Sequence, residues 1–166
     1  MESSAAGHSI KHRSKPNDVF YTPESAVKQH LELIDSTPND VWLDPFKGKG
    51  AYYDMFPTTN KDWCEITENR DFFAYTTPCT IICSNPPYSI IDAVLKHSIE
   101  LNPRIISYLI GQGNLTAKRI QYMNDNGYGL SKLHLTKIFK WYGMSLIVVF
   151  EKDKPNCISF DRKVHK

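Results

Sequence analysis

The tetrapeptide Asn85-Pro86-Pro87-Tyr88 follows without a break on the run Thr80-Ile81-Ile82-Cys83-Ser84. Such a short, largely apolar and β-branched run reads as a buried strand. Two consecutive prolines cannot extend a central ladder, because each lacks an N–H and holds φ near about −65°. The chain must therefore leave the sheet at Asn85 along one rigid path. That exit presents the Asn85 side-chain oxygen and the Pro86 carbonyl side by side, two aimed acceptors suited to a planar NH2 group. Tyr88 adds an aromatic face against which a flat base or amide can stack. A rigid turn with a polar first residue is the plainer reading of the same four residues.

The flanking pattern predicts an α/β domain. Thr22 is placed to cap a helix over 23–35 that begins at Pro23 and carries Val27, Leu31 and Ile34 on one face. After turn-forming residues 36–40, Val41-Trp42-Leu43 reads as a short strand that delivers Asp44 at its carboxyl end. Pro45 and the segment Phe46-Lys47-Gly48-Lys49-Gly50 follow, then a short helix with Tyr52, Tyr53 and Met55. Further strands are expected over 62–66, 80–84 and 105–110. Ser89 and Asp92 resemble a capping box for a helix lined by Ile91, Val94, Leu95 and Ile99. Asn114 is the expected cap of a weaker helix running through Ile120 and Met123. Two β-rich stretches, 130–142 and 145–151, with Tyr142-Gly143-Met144 between them, predict an antiparallel pair.

Alternating strands and helices imply a mostly parallel sheet with helices on both faces and the antiparallel pair at its edge. Ligands in such sheets bind beyond the carboxyl ends of the strands, where Asp44, Glu65 and Asn85 all fall. Residues 1–16 lack periodicity and read as a flexible arm. Residues 17–166 then make one domain, which suits a chain of 166 residues.

Composition narrows the classes. A hydrophobic share of 41% with 23% charged residues is that of a chain able to build a core, not of a disordered one. The longest apolar runs, such as Leu146-Ile147-Val148-Val149-Phe150, fall far short of the roughly 20 residues of a membrane span, and 1–15 lacks the apolar stretch of a secretory signal. An intracellular protein without membrane attachment is expected. Cys64, Cys79, Cys83 and Cys157 show no paired spacing, so no metal site is expected. A net charge of +2 is too mild to announce a nucleic-acid binder. The basic clusters Lys11, His12, Arg13, Lys15 and Arg162, Lys163, Lys166 are either phosphate contacts or solvated tails.

The glycine segment lets backbone approach a ligand closely. It is not a P-loop, since Lys49 is followed by Gly50, and not a dinucleotide fingerprint, since Tyr53 stands where the last glycine belongs. A glycine turn preceded by an acid suits a ligand bearing an ammonium group. Glu65, about twenty residues on, is placed to accept from two ribose hydroxyls, although a surface glutamate after a strand is common. Asp71-Phe72 serves either an adenine, carboxylate to amino group and ring to face, or a helix cap.

The order Phe20-Tyr21-Thr22-Pro23, Asp44-Pro45-Phe46-Lys47-Gly48-Lys49-Gly50, Glu65 and Asn85-Pro86-Pro87-Tyr88 resembles the S-adenosylmethionine-dependent amino-methyltransferases, especially the N6-adenine-specific DNA methyltransferases, over about residues 19–150. The resemblance implies a Rossmann-like class I methyltransferase fold. It implies that Tyr21, Thr22 and Pro23 border the methionine end of the cofactor and that Asp44 meets its ammonium. Pro45, Phe46, Gly48 and Gly50 would line it, Glu65 would hold the ribose, and Asp71 and Phe72 would flank the adenine. Asn85, Pro86, Pro87 and Tyr88 would grip a target adenine in DNA or RNA, with Phe139, Trp141 or Tyr142 as further stacking surfaces for a flipped base. Those three are also ordinary strand and turn aromatics. Methyl transfer of this kind needs no metal.

The family's sequence-reading members carry an added recognition region that has no counterpart here, which implies a homodimer, a partner subunit, or an already single-stranded substrate. Lys47 and Lys49 are unusual beside the cofactor and suit phosphates. Protein glutamine N5-methyltransferases share Asn-Pro-Pro-Tyr, because an amide NH2 offers the same two protons, and are the second reading. A non-catalytic scaffold subunit is the third.

Overall fold

The apolar runs assemble into a six-stranded sheet in a computed structural model that describes residues 22–165. The arm expected over 1–16, and Tyr21, lie outside the described residues. The strands are β1 (Trp42–Asp44), β2 (Lys61–Trp63), β3 (Ile81–Ser84), β4 (Ile105–Gly111), β5 (Tyr128–Thr136) and β6 (Ser145–Lys152). Their order is β2-β1-β3-β4-β6-β5. The β1 pairings with β2 and β3 are parallel, as is β3 with β4, whereas β6 runs antiparallel to both β4 and β5. This is the mostly parallel sheet with an antiparallel edge pair that the sequence predicts.

Strand periodicity divides the core between two faces. Leu43, Ile82, Ile106 and Val148 pack with Ile91, Val94 and Leu95 of α2 (Ile91–Glu100) and Ile120 and Met123 of α3 (Ala117–Asp125). Trp42, Ile81, Cys83, Ile105 and Val149 pack on the other face with Val27 of α1 (Glu24–Glu32) and with Phe56. Each such aliphatic side chain contributes about 1.5–3 kcal/mol when fully buried. Helices therefore cover both faces.

Several boundaries differ from expectation for local reasons. Thr22 does not cap α1: Pro23 holds the cap position without a side-chain bond, and Thr22 Oγ1 accepts instead from Asn85 Nδ2 at 3.3 Å. The helix expected after the glycine turn is one 3-10 turn, Tyr53–Met55. Ser89 and Asp92 form no capping box, since α2 begins without a side-chain cap and Asp92 is drawn to Arg119 Nε at 2.8 Å. Thr116, not Asn114, caps α3 by accepting from the Arg119 amide. β5 ends at Thr136, so the connection to β6 spans 137–144 rather than three residues. β2 stops at Trp63, and Glu65 lies beyond it in an isolated bridge with Arg70.

One buried polar chain fastens α1 to the sheet. The Ser107 hydroxyl donates to the Val148 carbonyl at 3.0 Å, so it accepts from His30 Nε2–H at 2.7 Å. His30 Nδ1 is then left to accept from the Tyr52 hydroxyl at 2.8 Å. Burial pushes the His30 pKa from 6.5 down to about 3. The imidazole is neutral when folded, whereas the unfolded chain takes up a proton as pH falls through 6.5. Stability from this group is therefore complete above about pH 6.5 and is lost progressively towards pH 3. Urea titrations should show unfolding free energy falling over that window, and His30→Gln should flatten the slope. Equal slopes in the two proteins would contradict the assignment.

Candidate functional site

The carboxyl ends of β1, β2 and β3 converge on a set of polar groups from different strands. Asp44, the last residue of β1, is fully buried. Its Oδ1 accepts from the Ser84 hydroxyl at 2.7 Å and the Phe46 amide at 3.1 Å. Its Oδ2 has no hydrogen-bond partner. Burial raises the Asp44 pKa from 3.8 to about 7, against the opposing pull of Ser84 and the Phe46 and Tyr53 amides. An orphaned buried oxygen carries an unrecovered desolvation cost, which a cationic N–H donor would remove. The site thus fits a ligand bearing an ammonium group.

The glycine turn wraps around this acid. Gly48 and Gly50 take φ of +54° and +96°, a region that side chains with a Cβ disfavour. A Cβ on Gly48 would meet nothing within 4 Å, so the turn faces open space there. The Lys47 amide donates to the Cys64 carbonyl at 2.9 Å. The Gly48 amide donates to Glu65 Oε2 at 3.0 Å, and the Thr67 amide and hydroxyl donate to Oε1. Glu65 therefore stands against the turn with both oxygens oriented. Lys47 does not face open solvent as a phosphate ligand would: its Nζ pairs with Glu68 at 3.1 Å and lies 3.7 Å from the Trp63 ring centre. Lys49 is exposed.

Asn85 follows Ser84 directly, so the hydroxyl bound to Asp44 and the amide at the strand exit are chain neighbours. Asn85 Oδ1 accepts from the Tyr88 hydroxyl at 3.1 Å and its Nδ2 donates to Thr22. These bonds fix which way the amide faces. The oxygen keeps a second lone pair for a further donor. Burial holds the Tyr88 phenol above its usual pKa, so it remains a hydroxyl donor. Pro86 is buried and Pro87 half-buried.

The remaining sequence-derived residues divide. Pro45 is buried, Phe46 packs edge-on to Phe72 at 5.3 Å, and Pro23 borders a groove beside α1. Phe72 is 2% exposed, wedged between Phe46 and the His97 ring of α2 at 4.7 Å, so its ring offers no free face to an adenine. Asp71 accepts from the Phe73 amide as the cap of the 3-10 turn Phe72–Ala74, the alternative role open to it. Phe139 and Trp141 ride on the 137–144 loop, which reaches the site where Tyr142 lies 6.4 Å from Tyr88. Tyr21 is outside the described residues.

Three residues beside the singled-out positions escaped the sequence reading. Ser84 joins the two strand ends, and its one signal was a polar side chain closing a buried run. Ile66, next to Glu65, and Phe73, next to Asp71–Phe72, are 64% and 42% exposed; apolar residues beside the two acids were the available sign. Among the described residues, no group of three or more His, Cys, Asp or Glu could hold a metal ion, and no helix is long and apolar enough to cross a membrane.

Ser84→Ala should push the Asp44 pKa above its value of about 7, because it removes a hydrogen bond that favours the carboxylate. Titration of the Asp44 carboxyl carbon by NMR checks this, and an unchanged or lower midpoint would contradict it.

No family model matches the chain, and no curated protein matches it by sequence. Solved structures do share its shape. Magnesium protoporphyrin IX methyltransferase from Synechocystis PCC 6803, solved with bound SAM, superposes with a TM-score of 0.60 at 14% identity over 89% of this chain and 80% of that one. A modification subunit assigned to a type I restriction enzyme from Vibrio vulnificus YJ016 gives 0.62 at 12% identity, over 93% of this chain and 51% of that one. TrmN from Thermus thermophilus gives 0.50 at 15% identity, over 78% and 48%. The chain thus spans about half the length of the latter two. At these identities the likeness establishes the fold, the Rossmann-like one of class I methyltransferases.

Proposed function

We propose that this chain binds S-adenosylmethionine at the ends of β1 and β2 and transfers its methyl group to the exocyclic N6 amine of adenine in nucleic acid, DNA foremost and RNA second. The observation that carries the reading is the Asp44–Ser84–Asn85 connection: an orphaned acid suited to an ammonium sits one hydrogen bond and one peptide from an oriented amide acceptor. The methyltransferase fold supports the cofactor, and the likeness to a restriction-modification subunit supports a nucleic-acid substrate.

In this reading Asp44 Oδ2 receives the cofactor's ammonium, Glu65 its ribose hydroxyls, and Ile66 and Phe73 supply apolar surface for its adenine. The cofactor, when bound, supplies a methyl group made electrophilic by a sulfonium. Asn85 Oδ1 and the Pro86 carbonyl accept the two N6 protons of the target. Those bonds turn the nitrogen lone pair out of the ring plane and aim it, which is positioning and electrostatic catalysis in one device. The Tyr88 hydroxyl locks the Asn85 amide while its ring faces the base. As the N–CH3 bond forms, the methyl–sulfur bond would break with its electron pair left on a neutral sulfide, and one N6 proton would pass to water, since neither acceptor is basic enough to keep it.

Labelled methyl transfer onto single-stranded DNA, duplex DNA, RNA and a glutamine peptide, followed by digestion, tests the reading. N6-methyladenine is the expected product, and methylglutamine alone would overturn it in favour of a protein substrate. Asn85→Ala should cut turnover by about 100-fold or more while cofactor affinity changes little. Glu65→Ala should weaken the cofactor about tenfold or more, with a smaller effect on saturated turnover. Equal losses of both quantities in Asn85→Ala would contradict its role.

Asp44 adds a pH signature. An ammonium at Oδ2 favours the carboxylate, so binding releases the proton held below about pH 7. Cofactor affinity should rise from about pH 5.5 to 7 and then level. Asp44→Asn should bind about 10–100-fold more weakly and lose that dependence. Calorimetry in buffers of different ionisation enthalpy reads both effects, and a flat wild-type profile would contradict the assignment.

A further inference from the structure

Beyond Tyr88 the aromatic rings continue outward. Tyr142 lies 6.4 Å from Tyr88, Trp141 5.8 Å from Tyr142, and Phe139 5.2 Å from Trp141 with their planes only 23° apart. Trp141 is 54% exposed. The loop that carries these rings is held at two points. Lys137 Nζ donates to the Tyr142 carbonyl at 2.6 Å, and the Tyr142 hydroxyl sits against Gly111, where any Cβ would collide with it.

On the flank of the same loop, a groove of about 280 Å³ separates residues 136–138 from the first turns of α1. Ser25, Gln29 and Lys137 line it and bring a hydroxyl, an amide and an ammonium; no acidic residue is among its walls. Gln29 Oε1 already accepts from Thr136 at 3.1 Å, so its NH2 is the half left to donate. Lys140 adds an exposed cation to the loop. The groove reaches Pro23, next to the Thr22 that holds Asn85.

Stacking faces beside a donor-rich, cationic groove are the composition of a single-strand site. A base inside a duplex already has both faces covered, so an exposed tryptophan one ring removed from the target pocket serves a base freed from its neighbour. We propose that the 137–144 loop and its groove form a track for the unpaired strand flanking the target adenine. Bases stack on Trp141 and phosphodiesters lie along Ser25, Gln29 and Lys137. The inference rests on the adenine reading above and narrows it to unpaired nucleic acid, with DNA and RNA sharing the chemistry.

The test uses the full chain with S-adenosylhomocysteine and fluorescent oligonucleotides containing one adenine, as single-stranded DNA, single-stranded RNA and duplex DNA. Anisotropy gives binding, and methyl transfer onto the same strands is read in parallel. Both single strands should bind about tenfold or more tightly than the duplex; tight binding of one alone names the natural strand. Trp141→Ala should weaken single-strand binding about tenfold. Lys137→Ala and, separately, Lys140→Ala should each lower the salt slope by about 0.7. S-adenosylhomocysteine affinity should stay unchanged in all three, which separates these losses from misfolding. N6-methyladenine formed equally on duplex and single strands, with Trp141→Ala binding like wild type, would overturn the track and leave the adenine reading intact. Single-strand binding that depends on Trp141, without N6-methyladenine on any strand, would support the track and sink the adenine reading instead.

Discussion

The hydrogen bond from Ser84 to Asp44 spans two adjacent parallel strands at the point where both leave the sheet. Everything else about the site follows from it. It orients one carboxylate oxygen and leaves the other buried without a partner. It also fixes the start of the Asn-Pro-Pro-Tyr exit relative to the glycine turn, because Asn85 is the next residue along β3. In the proposed function this frame would hold a cofactor end and a target end rigidly together, which is what an in-line transfer needs, since a misplacement of about 1 Å costs roughly 100-fold in rate.

The frame is rigid because both sheet faces are covered and the polar groups within it are mostly satisfied. His30, Ser107 and Tyr52 connect α1, β4 and the segment after the glycine turn through bonds of 2.7 and 2.8 Å. At the opposite end of β1, Asp40 is gripped by the Arg104 guanidinium, whose Nε donates at 2.9 Å, and by the Thr80 hydroxyl at 2.8 Å. That pairing holds the Asp40 carboxyl well below its usual pKa. Asp40 and Asp44 bracket the same three-residue strand yet are driven in opposite directions. The first has a cationic partner, whereas the second has only neutral donors, which burial outweighs. Only the second is left in want of a cation.

The strand exits were legible because proline, glycine and a lone acid after an apolar run are local signals with local causes. Asp44, the glycine turn and Asn85-Pro86-Pro87-Tyr88 each stand at the end of a run that forms a strand, and the parallel sheet with its antiparallel edge pair followed from the alternation of patterns. The burial of Phe72 was not legible, because it is set by Phe46 and by His97, a residue of a helix that starts nineteen positions later. Nothing near Phe72 in the chain announces that contact. The length of β5 was overestimated because the aromatics at 139–142 have strand-like character, yet they sit in a loop fastened by Lys137 and Gly111. Thr22 and Ser84 matter through partners more than 35 residues away, and no spacing rule reaches that far.

The most direct test of this account is a crystal structure of the protein with S-adenosylhomocysteine and adenosine bound together. The account expects the cofactor product's ammonium at Asp44 Oδ2, its ribose on Glu65, and the adenosine N6 within hydrogen-bond distance of both Asn85 Oδ1 and the Pro86 carbonyl. An adenosine seated elsewhere, or an ammonium distant from Asp44 with that oxygen still unpartnered, would contradict it.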